Sequence, residues 1–226
     1  MSLKEQSRRF GLKINSSKTK LMGTKKASIL LNGNEVEQVK SFNYLGQEIR
    51  LPRDHSNEVS RRIRCGWNVF KQYKSVLTNR TVNKRWKRRL FNMCILPAML
   101  YGAETWALTE AAQKKLAAAQ RRMERRMTGV RLLDRRTNEW LRSVTKVQDI
   151  LQTAKRRKWI HAWKIANEED EKWSKIIMEW RPPKTRPPGR PRTRWRDEIT
   201  KKLKTDAWQT KAKRVAFEQW LEIGIR

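Results

Sequence analysis

Acidic residues are scarce: 22 Asp and Glu stand against 54 Lys and Arg over 226 residues, a formal charge of +32. A compact chain so poor in carboxylates repels itself until counterions or a bound polyanion relieve it. Cysteine and histidine are nearly absent too. Cys65 and Cys94 cannot build a disulfide framework, and with His55 and His161 they give no paired zinc-ligand spacing. The cysteine usage fits a reducing, intracellular setting. No apolar run approaches the roughly 18 residues that a membrane span needs, so no membrane partner is expected. The first residues lack the apolar stretch of a secretory signal, which leaves the sequons at Asn15 and Asn79 without a glycosylation role. Hydrophobic content is low at 38%, yet eleven tryptophans are too many for a disordered tail. Most fall at helical spacing with other apolar residues, which points to small aromatic clusters in a core.

Proline is sparse except in one place. Residues 181–196, RPPKTRPPGRPRTRWR, hold five of the seven prolines, seven Arg or Lys and no acid. This segment cannot bury a core. It reads as an extended cationic arm ending in Trp195, and nucleic acid is the polyanion it fits best.

Hydrophobic spacing divides the rest. Residues 10–51 read as β-rich. Leu12 and Ile14 alternate, Asn32-Gly33-Asn34 marks a hairpin between apolar runs, and residues 42–49 form another short strand region. From Asp54 the period becomes helical. Val59, Ile63, Trp67, Phe70 and Leu77 form a stripe, with Asp54 or Ser56 as its cap and Arg61, Arg62, Arg64, Lys71 and Lys74 facing away. A second helix starts near Thr81 and breaks at Pro97. A third is capped by Thr109 and closed by Gly129, with Leu116, Met123 and Met127 inside and Lys114, Arg121, Arg122, Arg125 and Arg126 outside. Further helices cover residues 138–144, 146–167, 173–180, 195–204 and 208–223. The acidic block at residues 168–171 is a solvent-facing turn or a clasp for the arm. The expected fold is mainly α with a small N-terminal antiparallel β part, followed by a helical bundle, a basic Pro-rich arm and C-terminal helices. The expected divisions are 1–53, 54–130, 131–180, 181–196 and 197–226.

Three sets of residues carry a resemblance. The first is Gly11-Leu12-Lys13-Ile14-Asn15 with Lys18-Thr19-Lys20-Leu21-Met22, then Phe42-Asn43-Tyr44-Leu45-Gly46. The second is Ile95-Leu96-Pro97-Ala98-Met99-Leu100-Tyr101-Gly102-Ala103-Glu104-Thr105-Trp106. The third joins Lys155-Arg156-Arg157-Lys158-Trp159-Ile160-His161-Ala162 to Trp180 and to Gly189-Arg190-Pro191-Arg192-Thr193-Arg194-Trp195-Arg196-Asp197. Their order resembles the C-terminal part of reverse transcriptases from non-LTR (LINE-type) retrotransposons. Ile160 stands where that family has Gly. The resemblance implies the end of a palm with a primer-grip hairpin at Tyr44, Leu45 and Gly46, then a thumb-like bundle and a basic tail. It also implies RNA and DNA template–primer duplex as partner, together with the palm and fingers of the same polyprotein, and a nuclear location.

The family polymerises through metal-bound aspartates placed just before the segment that begins at Gly11. Residues 1–10 contain no Asp and one Glu. Two-metal phosphoryl transfer needs those carboxylates. The chain alone is therefore expected not to polymerise and to carry no cofactor, with Mg²⁺ expected only for a complete polymerase. The expected backbone contacts are Lys18, Lys20, Arg61, Arg64, Lys84, Arg85, Lys87, Arg88, Arg89, Arg121, Arg125, Arg186, Arg190, Arg192 and Arg194, which would position a duplex and not read its sequence. Pro188-Gly189-Arg190-Pro191-Arg192 also resembles the core of an AT-hook, although Pro188 stands where that motif prefers Arg. A stand-alone basic DNA- or RNA-binding module is the alternative.

Overall fold

The computed structural model describes residues 3–23, 25–31, 33–51, 55–180 and 193–225. The chain divides into two compact units, Met1–Glu58 and Val59–Arg226.

In the first unit α1 (Leu3–Arg9) is closed by backbone bonds from Gly11 to Arg8 and from Leu12 to Ser7. Gly11 sits at φ +69, a conformation that suits a residue without a side chain. No strand forms at Leu12 and Ile14, where the chain leaves the turn that closes α1. Two short hairpins follow. Strand β1 (Leu30–Leu31) pairs antiparallel with β2 (Asn34–Glu35), and β3 (Ser41–Tyr44) with β4 (Gln47–Arg50). The first hairpin forms around Gly33 as expected; Asn32 lies outside the described residues. In the second, Phe42 faces Ile49 and Tyr44 faces Gln47. Leu45 and Gly46 both have positive φ, 48° and 75°, the two-residue turn that matches strand twist.

The second unit is helical. Helix α2 (His55–Gln72) begins in the first unit and carries Val59, Ile63, Trp67 and Phe70 of the expected stripe, while Leu77 falls in the next helix; the expected caps, Asp54 and Ser56, lie outside the described side chains. It is followed by α3 (Lys74–Leu77) and α4 (Lys84–Leu90). A π-helical turn, Phe91–Ile95, leads into α5 (Leu96–Met99), with Pro97 in its first turn. The expected break therefore takes the form of a widened turn before the proline. Helix α6 (Glu110–Thr128) starts where the Thr109 hydroxyl accepts from Ala112 N and stops at Gly129, φ 73. Then come α7 (Asn138–Thr145), α8 (Ile150–Asn167), α9 (Trp173–Glu179), α10 (Asp197–Leu203), α11 (Trp208–Arg214) and α12 (Phe217–Ile225). Three start points move inward from the expected ones, α10 beginning at Asp197 and not Trp195. Asn83, not Thr81, caps α4, and Asp149 caps α8 by accepting from Leu151 N and Gln152 N. The single helix expected over 208–223 is two, broken at an extended Val215.

Two apolar clusters hold this unit. Phe70, Phe91, Ile95, Met99, Leu116 and Met123 centre the first; Trp159, Trp208, Trp220, Ala162 and Ala212 centre the second. Helix α8 belongs to both, giving Ile150 and Ala154 to one and Trp159 and Ala162 to the other. Its buried start is satisfied from α6: Gln120 accepts from Ile150 N and donates to Gln148 O, both at 2.8 Å. The break at Val215 lets Trp208 and Trp220 both reach the second cluster. Among the described residues no helix is long and apolar enough to cross a membrane.

Candidate nucleic-acid interface

Helix α4 reads KRWKRRL, five cations and a tryptophan in seven residues. The Asn83 carboxamide accepts from Arg85 N at 2.8 Å and fixes the start. Helical rotation then sorts the cations. Lys84, Arg85 and Arg89 are exposed and Arg88 is half-buried. Trp86 is exposed, with the Arg89 guanidinium 5.8 Å from its ring centre. Lys87 turns the other way. It is buried, and its ammonium donates to Met127 O at 3.2 Å, closing the C-terminal end of α6. Burial, and then the charge of Lys84, hold Lys87 below the ordinary lysine range.

The last turns of α6 bring three cationic helices together. Met127 meets Lys87 of α4, and its neighbour Arg126 lies 4.9 Å from the Trp67 ring of α2. Gly66 permits close packing on α2: a β-carbon there would lie 2.2 Å from Met99 Cγ. Arg64, Arg122 and Arg126 are exposed and Arg61 is half-buried. Arg62, expected to face away, is instead buried with its guanidinium 4.5 Å from the Tyr101 ring.

Arg121 departs furthest from the expected solvated face. It is buried and donates to Glu124 at 2.5 Å and to Asp149 at 2.7 Å. Thr145 donates to the other Glu124 oxygen at 3.0 Å. Burial pushes the Glu124 carboxyl above its usual range, opposed by Arg121 and Thr145. Arg121 thus serves the junction of α6, α7 and α8, its guanidinium committed to two carboxylates. Arg125 is half-committed, donating to Arg136 O at 3.2 Å and to Asn138 at 3.3 Å.

In the first unit Lys18 is exposed, while Lys20 pairs with Glu37 at 2.5 Å. Lys20 and Tyr44 line one hollow of about 320 Å³ with Met22, Val39, Phe42 and Ile49. Tyr44, Leu45 and Gly46 form the exposed tip of the second hairpin.

Of the arm, Arg186, Arg190 and Arg192 lie outside the described residues. Arg194 is exposed, and its backbone N–H donates to Asp197 at 2.6 Å. Trp195 is anchored, not presented: its indole N–H donates to Glu104 O at 2.6 Å, and its ring lies beside His161 and Trp208. Lys158 pairs with Glu198 at 2.8 Å, and Arg157 donates to Leu100 O at 2.8 Å. The second and third sequence blocks therefore meet in space. The acidic block folds on its own turn, where Lys175 pairs with Asp170 and Ser174 donates to Glu168.

Two residues were missed as site candidates. Arg80 and Trp140 line a cavity with Lys84 and Lys87. Arg80 sits outside the helical stripes, and Trp140 belongs to a helix that periodicity marks only as short.

No family model matches the chain, and no solved structure matches it. An uncharacterized transposon-derived protein of Caenorhabditis elegans is 31% identical over 233 aligned positions, covering 94% of this chain and 82% of that protein.

Proposed function

The chain belongs to the same transposon-derived family as that nematode protein, and from this premise we propose that it binds the backbone of RNA and DNA as the thumb-and-tail part of a retrotransposon reverse transcriptase. One observation carries the reading. Lys84, Arg85, Arg88 and Arg89 project from one short helix, and among the described residues none forms an ion pair with a carboxylate. Acids such as Glu124, Asp149 and Asp170 are spent on internal pairs. The surplus positive charge thus stays at the surface, where phosphates can replace counterions.

In this reading α2, α4 and α6 hold the duplex, and the Tyr44-Leu45-Gly46 tip approaches the sugar–phosphate of a primer. The chain contributes grip and not the carboxylates of strand synthesis, and Mg²⁺ chemistry belongs to a complete polymerase. The test is binding of a labelled RNA–DNA duplex across a sodium chloride series, with primer extension run beside it. With roughly 6–10 phosphates contacted, affinity should fall about 10³–10⁵-fold between 50 and 200 mM salt. Salt-independent binding overturns the grip, and robust extension by this chain overturns the division of labour.

A second reading, a stand-alone basic module, is favoured by the helical unit holding two apolar clusters of its own. Cooperative folding and full duplex affinity of residues 59–226 alone would favour it.

A further inference from the structure

Where α4, α6 and α7 meet lies a cavity of about 240 Å³. Its lining combines the cations Arg80, Lys84 and Lys87 with the apolar side chains of Met127, Val144 and Trp140. Among the described residues no carboxylate lines it. The lining residue Thr145 donates its hydroxyl to Glu124, a carboxylate already paired with Arg121.

Lys87 makes this more than a surface patch. It is 6% exposed, and an ammonium has three donors. One is spent on Met127 O, and among the described residues no other partner takes the rest. Its depressed basicity agrees with a cation that lacks a counter-charge. The carbonyl end of α6 opposes an anion nearby, but that end is capped: Lys87 covers Met127 O, and Gly129 N and Val130 N both donate to Arg125 O.

We propose that this cavity takes one nucleotide unit, its phosphate on Lys84, Lys87 and Arg80 and its base against Trp140 and Val144. An acid-free cluster of three cations selects an anion. A backbone lying across the surface would need no apolar wall, whereas a base does, and Trp140 supplies an aromatic one. Arg136, 5.1 Å from the Trp140 ring centre, helps hold that indole in place. At about 30 Å³ per water the space equals several waters, room for a phosphate and much of a base. The choice of a nucleotide over another phosphate ester rests on the nucleic-acid reading above.

The experiment titrates the full chain with the 5′-monophosphate of 2-aminopurine riboside, a base whose fluorescence is quenched on stacking. The riboside without phosphate and inorganic phosphate serve as comparisons. The monophosphate should quench saturably, and the riboside, which gives up all three cation contacts, should bind at least about a hundredfold more weakly, one charge-assisted contact being worth roughly tenfold. K84A, an exposed and structurally undemanding change, should weaken the monophosphate roughly tenfold. W140L should abolish quenching while far-ultraviolet circular dichroism stays unchanged. Inorganic phosphate should compete. Quenching that survives both K84A and W140L places the nucleotide elsewhere and overturns the inference. No binding of the monophosphate alongside normal salt-dependent duplex binding removes this site and leaves the general function standing; loss of both removes both.

Discussion

The indole N–H of Trp195 donates to the backbone carbonyl of Glu104 at 2.6 Å, across 91 positions of sequence. This bond fastens the C-terminal end of the basic arm to the turn after α5. Around it stand His161, Trp208 and Lys158. The residues that make the second and third sequence blocks recognisable thus meet as packing partners. Trp195→Phe keeps an aromatic ring, loses the N–H that Glu104 O accepts and part of the packing on His161 and Trp208, and should cost about 1 kcal/mol or more. A thermal melt reads it, and an unchanged midpoint would show the bond to be idle.

Arg121 should behave as a structural cation. Arg121→Met leaves the buried Glu124 carboxylate without its cation and should cost about 3–5 kcal/mol. The double change of Arg121 and Glu124 to Met should recover part of that loss. Duplex affinity of the fraction that stays folded should match the parent, measured by anisotropy at fixed salt. A tenfold drop in affinity with stability intact would return Arg121 to the interface.

The exposed cations of α4 should act the opposite way. Arg85→Ala and Arg89→Ala should leave stability within about 0.5 kcal/mol, as surface changes do. Each that contacts a phosphate should lower the slope of log affinity on log salt by about 0.9. The weakening should be uniform across duplex sequences, since backbone contacts carry no base information. Unchanged slopes in both variants would remove α4 from the interface.

Gly224 tests the second cluster. A β-carbon there would fall 2.3 Å from the Trp159 ring, which is fully buried and cannot step aside. Gly224→Ala should cost about 1–3 kcal/mol by overpacking. Denaturant unfolding checks it, and a neutral result would mean that α12 is free to shift.

His161 sets a pH dependence. Burial lowers its basicity, outweighing the raising effect of Glu104 and Glu168, while Lys164 lowers it further. The unfolded chain therefore takes up the proton first. Stability should fall as pH drops through about 6.5, the ordinary histidine value. Glu124, raised by burial, pulls the other way at low pH, so the comparison is with His161→Gln. The variant should lose part of the slope of stability between pH 7.5 and 5.5; identical slopes would exclude His161 as its source.

Local signals were legible along the chain. Thr109 and Gly129 bracket α6 because a hydroxyl cap and a left-handed closing residue act within one turn. Gly33 marks the first hairpin because tight turns need positive φ, whereas the strand read over residues 42–49 is a second hairpin that turns at Leu45 and Gly46. The stripe of Val59, Ile63, Trp67 and Phe70 reports its buried face because helical period is local. The surplus of cations, and with it the class of partner proposed, is a matter of composition alone.

The fate of each cation was not local. Arg121 and Arg122 are neighbours on one helix, yet one is buried between two carboxylates and the other is exposed. Only the docking of α7 and α8 on α6 decides that, through Thr145 and Asp149, residues more than twenty positions away. Lys87 differs from Lys84 for the same reason: the end of α6 offers it a carbonyl. Periodicity says which face of a helix is apolar; the neighbours that assemble against the helix decide which charges are left for a ligand.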